Sequence, residues 1–101
     1  MSTQKVRLKL VFDKFFLPVL PNNEICYSFI VSFHSQTVND VCHDIMRKFE
    51  LNSFISNGII LKIDGKYLCN PYDNVNTFQN NDIVNVFPRL LDLKWKSEPK
   101  N

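Results

Sequence analysis

The chain has 101 residues, of which 45% are hydrophobic and 22% are charged. This length supports one hydrophobic core and excludes two independent domains, and the composition argues against disorder along the whole chain. The apolar runs are too short to span a membrane, and no basic-then-apolar signal peptide opens the chain. The net charge of +2 does not by itself indicate nucleic-acid binding.

Charge is distributed unevenly along the chain. Residues 1–14 carry a net charge of +3 and residues 88–101 carry +2, whereas residues 15–87 carry −3. Positive charge is therefore concentrated toward the two ends of the sequence.

Strict alternation of apolar and polar residues predicts two strands, over residues 5–12 and 24–34. The apolar side of the second segment consists of Ile25, Tyr27, Phe29, Val31 and Phe33. Two such segments joined by a loop predict an antiparallel hairpin. The connection, residues 14–23, is rich in apolar side chains and contains two prolines. It either folds over the sheet edge as core or covers the edge strand of a partner.

A change from period 2 to period 3.6 predicts one helix over residues 38–49, and Thr37 and Asp40 have the spacing of a capping box at its start. Further strands are predicted at residues 59–63, 66–68 and 83–87, with Asp64-Gly65 as a tight turn. This order predicts a two-layer α+β domain, with one helix on one face of a mixed sheet. Residues 92–101 lose periodicity, which predicts a flexible tail or the start of a linker.

Several segments occurring together in this order resemble a ubiquitin-like β-grasp domain and, more narrowly, the N-terminal domain of the coilin family. They are residues 6–13, 37–49, 58–68 and 80–86. The resemblance implies a sheet of order 2-1-5-3-4 packed on one helix, within a domain of residues 1–91. It also implies a nuclear localisation, a self-association role in a nuclear-body (Cajal body) scaffold, and a longer protein that continues after this chain.

The chain departs from ubiquitin itself at the positions that receptors bind. No Gly-Gly pair is present, so conjugation is not expected of the chain as written. Lys62 stands at the position of ubiquitin's central exposed isoleucine, and Asn85 replaces the histidine beside it. Because a lysine interrupts an apolar surface and is costly to desolvate, we do not expect ubiquitin-type receptor binding.

The implied sheet order assigns basic and apolar side chains to one face. The candidate residues are Arg7, Lys9, Lys62, Ile83 and Phe87. A solvated face would explain the basic residues, but it does not explain the apolar side chains among them. We therefore predict that this face is an interaction surface.

Asp82 and Asp73, both in predicted turns, are the acidic candidates. We predict that the basic face of one molecule contacts this acidic turn of the next, giving a head-to-tail homo-oligomer that can remain open-ended. Other nuclear-body proteins are further possible partners. Two alternatives stay open: a heterotypic protein-binding adaptor of the same fold and a single-stranded RNA-binding module.

Catalytic and metal chemistry are not predicted. The consecutive residues Cys42-His43-Asp44 project about 100° apart on a helix and cannot form a relay with one another. Cys26, Cys69 and His34 add zinc-binding residue types, but no CxxC or HxxxH spacing is present. We predict no catalytic residue, no metal site, no cofactor, no membrane association and three reduced thiols.

Overall fold

The computed structural model describes residues 5–89, which form a five-stranded sheet with one α-helix on one face. The strands are β1 (Arg7–Phe12), β2 (Cys26–Ile30), β3 (Ile59–Ile63), β4 (Tyr67–Leu68) and β5 (Ile83–Pro88), and helix α1 spans Val38–Lys48. The strand order is β2-β1-β5-β3-β4, with β1 and β5 parallel and every other pair antiparallel. The predicted α+β class and strand order are confirmed. No helix in the described part of the chain is long and apolar enough to cross a membrane.

The two central strands bury every second side chain. On β1, Leu8 and Leu10 are fully buried and alternate with exposed basic residues, while Val84 and Val86 are fully buried on β5. The parallel register pairs Leu10 with Val84. Since paired residues project to the same side of a sheet, the alternation sends all the buried side chains toward α1.

Helix α1 begins at a complete capping box, as predicted. The Thr37 hydroxyl accepts a hydrogen bond from the Asp40 N–H at 3.3 Å, and the Asp40 carboxylate accepts one from the Thr37 N–H at 3.0 Å. A further N–H, from Gln36, donates to the same carboxylate at 2.8 Å. Hydrogen bonds from Gln36 and Thr37 favour the ionised form and lower the pKa of Asp40 below its usual 3.8. The apolar residues of α1 form one stripe that packs on the sheet.

The connection between β1 and β2 is part of the domain's own core. It forms two 3-10 helices, Lys14–Val19 and Pro21–Asn23. Phe16 is fully buried, and its ring contacts Phe12 edge-to-face with 5.7 Å between centroids. Leu20 is also buried. Of the two alternatives for this connection, packing as core is the one observed.

The second strand is shorter than its alternation predicts. β2 ends at Ile30, and a turn follows in which the His34 N–H donates to the Ser32 hydroxyl at 3.1 Å. Phe33, expected on the buried face, is therefore 74% exposed, with its ring against that of His34. The prediction was wrong because the chain turns before the alternation stops. The tail predicted at residues 92–101 lies outside the described residues.

Replacing Ile45 with Ala is expected to cost about 2–5 kcal/mol of unfolding free energy, because Ile45 is fully buried between α1 and the sheet. Chemical denaturation measures this loss. The exposed helix residue Asn39, replaced by Ala, serves as the control and should change stability little. Equal stability of the Ile45→Ala variant and the wild type would contradict the helix register.

Replacing Asp40 with Asn is expected to lower the unfolding midpoint at neutral pH and to have little effect at a pH well below 3.8. The folded-state pKa is lowered, so the charged carboxylate stabilises the fold above the unfolded-state pKa, and this contribution is lost as the pH falls through the folded-state pKa. Thermal unfolding of both proteins across pH measures the difference, with the exposed Glu24→Gln as control. A pH-independent difference would show that the charge does not contribute.

Candidate functional site

The candidate site is the outer face, defined as the side of the sheet that turns away from α1. Its residues alternate with the buried ones, and residues paired across strands lie on the same side. The outer face comprises Arg7, Lys9, Val11, Cys26, Ser28, Ile30, Ile60, Lys62, Leu68, Ile83, Asn85 and Phe87.

Every charged side chain contributed by the five strands is positive. Arg7 and Lys9 on β1 and Lys62 on β3 carry these charges, and the strand sequences contain no Asp or Glu. The acidic residues lie instead in turns and on the helix, for example Asp64 after β3 and Asp44 on α1. The outer face is therefore positive although the whole chain is nearly neutral.

Apolar side chains lie among these cations. Ile83 is 43% exposed and pairs across the parallel ladder with Lys9, and Ile30 is 46% exposed and pairs with Arg7. Leu68, on the short strand β4, is 50% exposed. Several exposed apolar groups on one face of a folded domain are typical of a surface that another molecule covers.

Lys62 extends over the aromatic ring on β5. Its Nζ lies 5.3 Å from the centroid of Phe87, within the range of a cation–π contact. Phe87 is half-buried and pairs with Ile60. The Lys62 ammonium thus lies above the apolar side chain of Phe87. A bound molecule can place a carboxylate at the ammonium and an apolar group against the ring.

A shallow depression of about 360 Å³ crosses the outer face from β2 to β5. Its floor is formed mainly by small or apolar groups, and Lys9 stands at its side. Its lining consists of Lys9, Leu10, Val11, Cys26, Tyr27, Ser28 and Ile83. The depression gives the face a concave place for a side chain of a bound partner.

The structure places all five predicted basic and apolar candidates on the outer face, and adds Leu68 to them. Sequence reasoning missed Leu68 because a strand of two residues is too short to show alternation. Its pairing with Lys62 assigns it to this face. The depression was also missed, since its shape depends on Ser28, a small side chain opposite Lys9.

Both acidic candidates lie in the connection between β4 and β5. The Asp82 carbonyl accepts a hydrogen bond from the Lys9 N–H at 2.9 Å, so Asp82 borders the basic strand. Its carboxylate accepts the Gln79 N–H at 2.8 Å within its own turn. The Asp73 carbonyl accepts the Val38 N–H at 2.9 Å at the start of α1. Asp82 therefore lies beside the basic strand β1, and Asp73 lies beside the start of α1.

The cysteines differ in exposure. Burial raises the pKa of the Cys42 thiol to about 12. Burial also raises the pKa of Cys69, to about 11, and the negative charges of Asp73 and Asp82 add to the effect. Cys26 is exposed on the outer face. Within residues 5–89, no group of three or more His, Cys, Asp or Glu is placed to hold a metal ion.

The consecutive residues on α1 have different surroundings. Cys42 is buried and His43 is exposed. The Asp44 carboxylate accepts a hydrogen bond from the Ser35 hydroxyl at 3.1 Å and pairs with Arg47. Ser35 and Arg47 therefore both contact the Asp44 carboxylate.

Comparisons with known proteins identify the fold. No family model matches the chain, and no curated protein matches it. Among solved structures, a protein from Pyrococcus furiosus described as molybdopterin converting factor, subunit 1, superposes with a TM-score of 0.57 at 15% identity, covering 82% of this chain and 97% of that one. The fold is a ubiquitin-like β-grasp. At this identity the likeness shows the β-grasp fold alone.

The narrower resemblance to the coilin family is wrong. A β-grasp neighbour is described as molybdopterin converting factor, subunit 1, and no family model connects the chain with coilin. The nuclear-body scaffold function, with self-association as its mechanism, is corrected for the same reason. The alternation that suggested coilin fits any β-grasp domain. Nuclear localisation depended on that resemblance and stays an untested expectation.

Thiol reactivity should follow exposure and thiolate content. We expect Cys26 to react first with a thiol reagent in the native state, and Cys42 and Cys69 to react only slowly at pH 8, because their raised pKa values keep them protonated. Mass spectrometry of the labelled protein measures the order, and the unfolded chain provides the control. Rapid native labelling of Cys42 would contradict its position in the core.

Proposed function

We propose that this β-grasp domain is a non-catalytic protein-binding module whose outer face binds an acidic segment of another protein. The observation that carries the proposal is the charge of the sheet: Arg7, Lys9 and Lys62 are the strands' charged residues, and all three lie on the outer face. Exposed apolar side chains lie beside them on the neighbouring strands. A partner that combines carboxylates with apolar side chains complements both features.

The two features have different roles in such a complex. The cations lie at partly solvated positions, so they contribute orientation and encounter rate more than affinity. Covering Ile83, Ile30 and Leu68 removes apolar area from water and supplies most of the affinity. Binding should therefore weaken with added salt without being abolished.

The outer face is better suited to protein than to single-stranded RNA. Recognition of unpaired bases uses several aromatic rings as stacking platforms. Among the described residues of the outer face, Phe87 is the single aromatic ring, and the Lys62 ammonium already lies over it. The chemistry of the face therefore favours carboxylate and apolar groups over stacked bases.

Selection of peptides from a displayed random library on the immobilised domain tests this proposal. We expect the enriched sequences to combine Asp or Glu with large apolar residues. A synthetic peptide from this set should bind the Lys9→Glu variant about tenfold more weakly than wild type, since reversing one charge disrupts the complementarity. Ile83→Ser should weaken it similarly, because the variant removes an apolar contact.

The matched control is Lys48→Glu, which makes the same change of charge at an exposed position on α1. It should bind the peptide as wild type does. Equal loss in the Lys9→Glu and Lys48→Glu variants would show that net charge, and not the outer face, governs binding. Enrichment of basic sequences would also contradict the proposal.

A further inference from the structure

Strand β2 presents an open backbone edge. It is the outermost strand of the sheet, and within residues 5–89 it has a neighbour on one side only, β1. The Val31 N–H donates to the Val6 carbonyl at 2.9 Å, and the Phe12 N–H donates to the Ile25 carbonyl at 2.8 Å. These bonds fix which residues of the strand face β1.

In an antiparallel pair, backbone groups alternate between the two edges of a strand. Tyr27 and Phe29 share the parity of Ile25 and Val31, so their N–H and C=O groups face β1. The N–H and C=O groups of Cys26, Ser28 and Ile30 point away from the sheet. This edge therefore offers three donors and three acceptors in the spacing of a β ladder.

The edge lacks the protection that sheets commonly carry. Edge strands are usually blocked by a lysine, a proline or a bulge, each of which prevents another strand from pairing. β2 reads Cys-Tyr-Ser-Phe-Ile and pairs with β1 in continuous register from Cys26 to Ile30. It contains no charged residue, no proline and no bulge.

The neighbouring strand determines which side chains an added strand should carry. Adjacent strands lie about 4.8 Å apart, so a strand added beyond β2 would be about 10 Å from β1. Lys9 pairs with Ser28, whose small side chain leaves room for the lysine to reach a carboxylate across it. Arg7 occupies the corresponding position opposite Ile30. Glu or Asp at alternate positions of the added strand would meet these two cations.

We propose that the open edge of β2 binds an extended acidic segment of the partner protein as a sixth strand. Main-chain hydrogen bonds to Cys26, Ser28 and Ile30 hold the segment, and its alternate carboxylates pair with Lys9 and Arg7 above the sheet. The inference rests on the proposed function for the chemistry of the partner. It adds a backbone site that the outer face alone does not require.

The test uses a capped peptide of four Val-Glu repeats as the probe and follows amide hydrogen exchange by NMR. At a peptide concentration about ten times its Kd, exchange of the Cys26, Ser28 and Ile30 amides should slow about tenfold. The amides of Tyr27 and Phe29, already bonded to β1, should change less. The same peptide with every residue N-methylated should give no protection, because it cannot donate along that edge in either strand direction.

Two substitutions at one site provide a second measurement. Ser28→Pro removes an N–H that points away from β1, so the ladder to β1 is kept while the edge loses a donor. We expect this variant to lose peptide binding and the matched Ser28→Thr to retain it. Equal binding by both folded variants would overturn the proposal, and if Ser28→Pro does not fold, the N-methylated peptide decides the question.

The outcomes separate the edge from the face. If the peptide changes the NMR shifts of Ile60 and Ile83 but does not slow exchange of the β2 amides, the edge site is overturned and the proposed function stays intact. Protection of the β2 amides by a Val-Lys repeat as strong as by Val-Glu would overturn the acidic preference. Slow exchange of the Cys26, Ser28 and Ile30 amides in the absence of peptide would also overturn the proposal, because the edge would already be occupied. Sedimentation then identifies the occupant: a second copy if the chain is dimeric, or another part of the same chain if it is monomeric.

Discussion

The parallel pairing of β1 with β5 is the constraint on which the rest of the structure depends. It joins strands from opposite ends of the described chain, with Leu10 beside Val84 and Phe12 beside Val86. This register sends one set of side chains into the core beneath α1. By the same alternation it brings Lys9 beside Ile83 on the opposite side. The hydrophobic core and the basic outer face are therefore two consequences of one pairing, and a one-residue slip would exchange them.

Much of this arrangement could be predicted from local patterns. Period-2 alternation identified β1, and helical spacing with the Thr37 and Asp40 capping box identified α1. These features depend on residues close in sequence. The pairing of β1 with β5, by contrast, is set by packing between distant segments and was supplied by fold resemblance. Phe33 shows where alternation fails as a guide to burial, because the alternating pattern continues to this residue although β2 has already ended at Ile30.

The candidate site, like the fold, could be predicted only in part from the sequence. The face of Arg7, Lys9 and Lys62 follows from alternation once the strand order is known. The position of Asp82 beside Lys9 does not, because a turn before β5 brings them together through the backbone. The same limit explains the error in family: alternation, one helix and one tight turn specify a β-grasp domain, and nothing among these residues distinguishes the coilin family from other members of the fold.

The outer face and the β2 edge offer two kinds of recognition on one small domain. The face contributes apolar area and positive charge, while the edge contributes main-chain donors and acceptors beside Ser28. Lys9 lies between them, since it pairs with Ser28 on one side and Ile83 on the other. An acidic strand held at the edge would bring its carboxylates onto the cations of the face, so the two sites would act on one partner.

Binding at the outer face is tested most directly by the response of the isoleucine methyl groups to a selected acidic peptide, followed by NMR. Ile60 and Ile83 lie on the outer face, whereas Ile45 and Ile55 are buried on the other side of the sheet. We expect shift changes and cross-saturation from the peptide at Ile60 and Ile83, with Ile45 and Ile55 unaffected. Cross-saturation confined to residues on the helix side, with Ile60 and Ile83 unchanged, would contradict binding at the outer face.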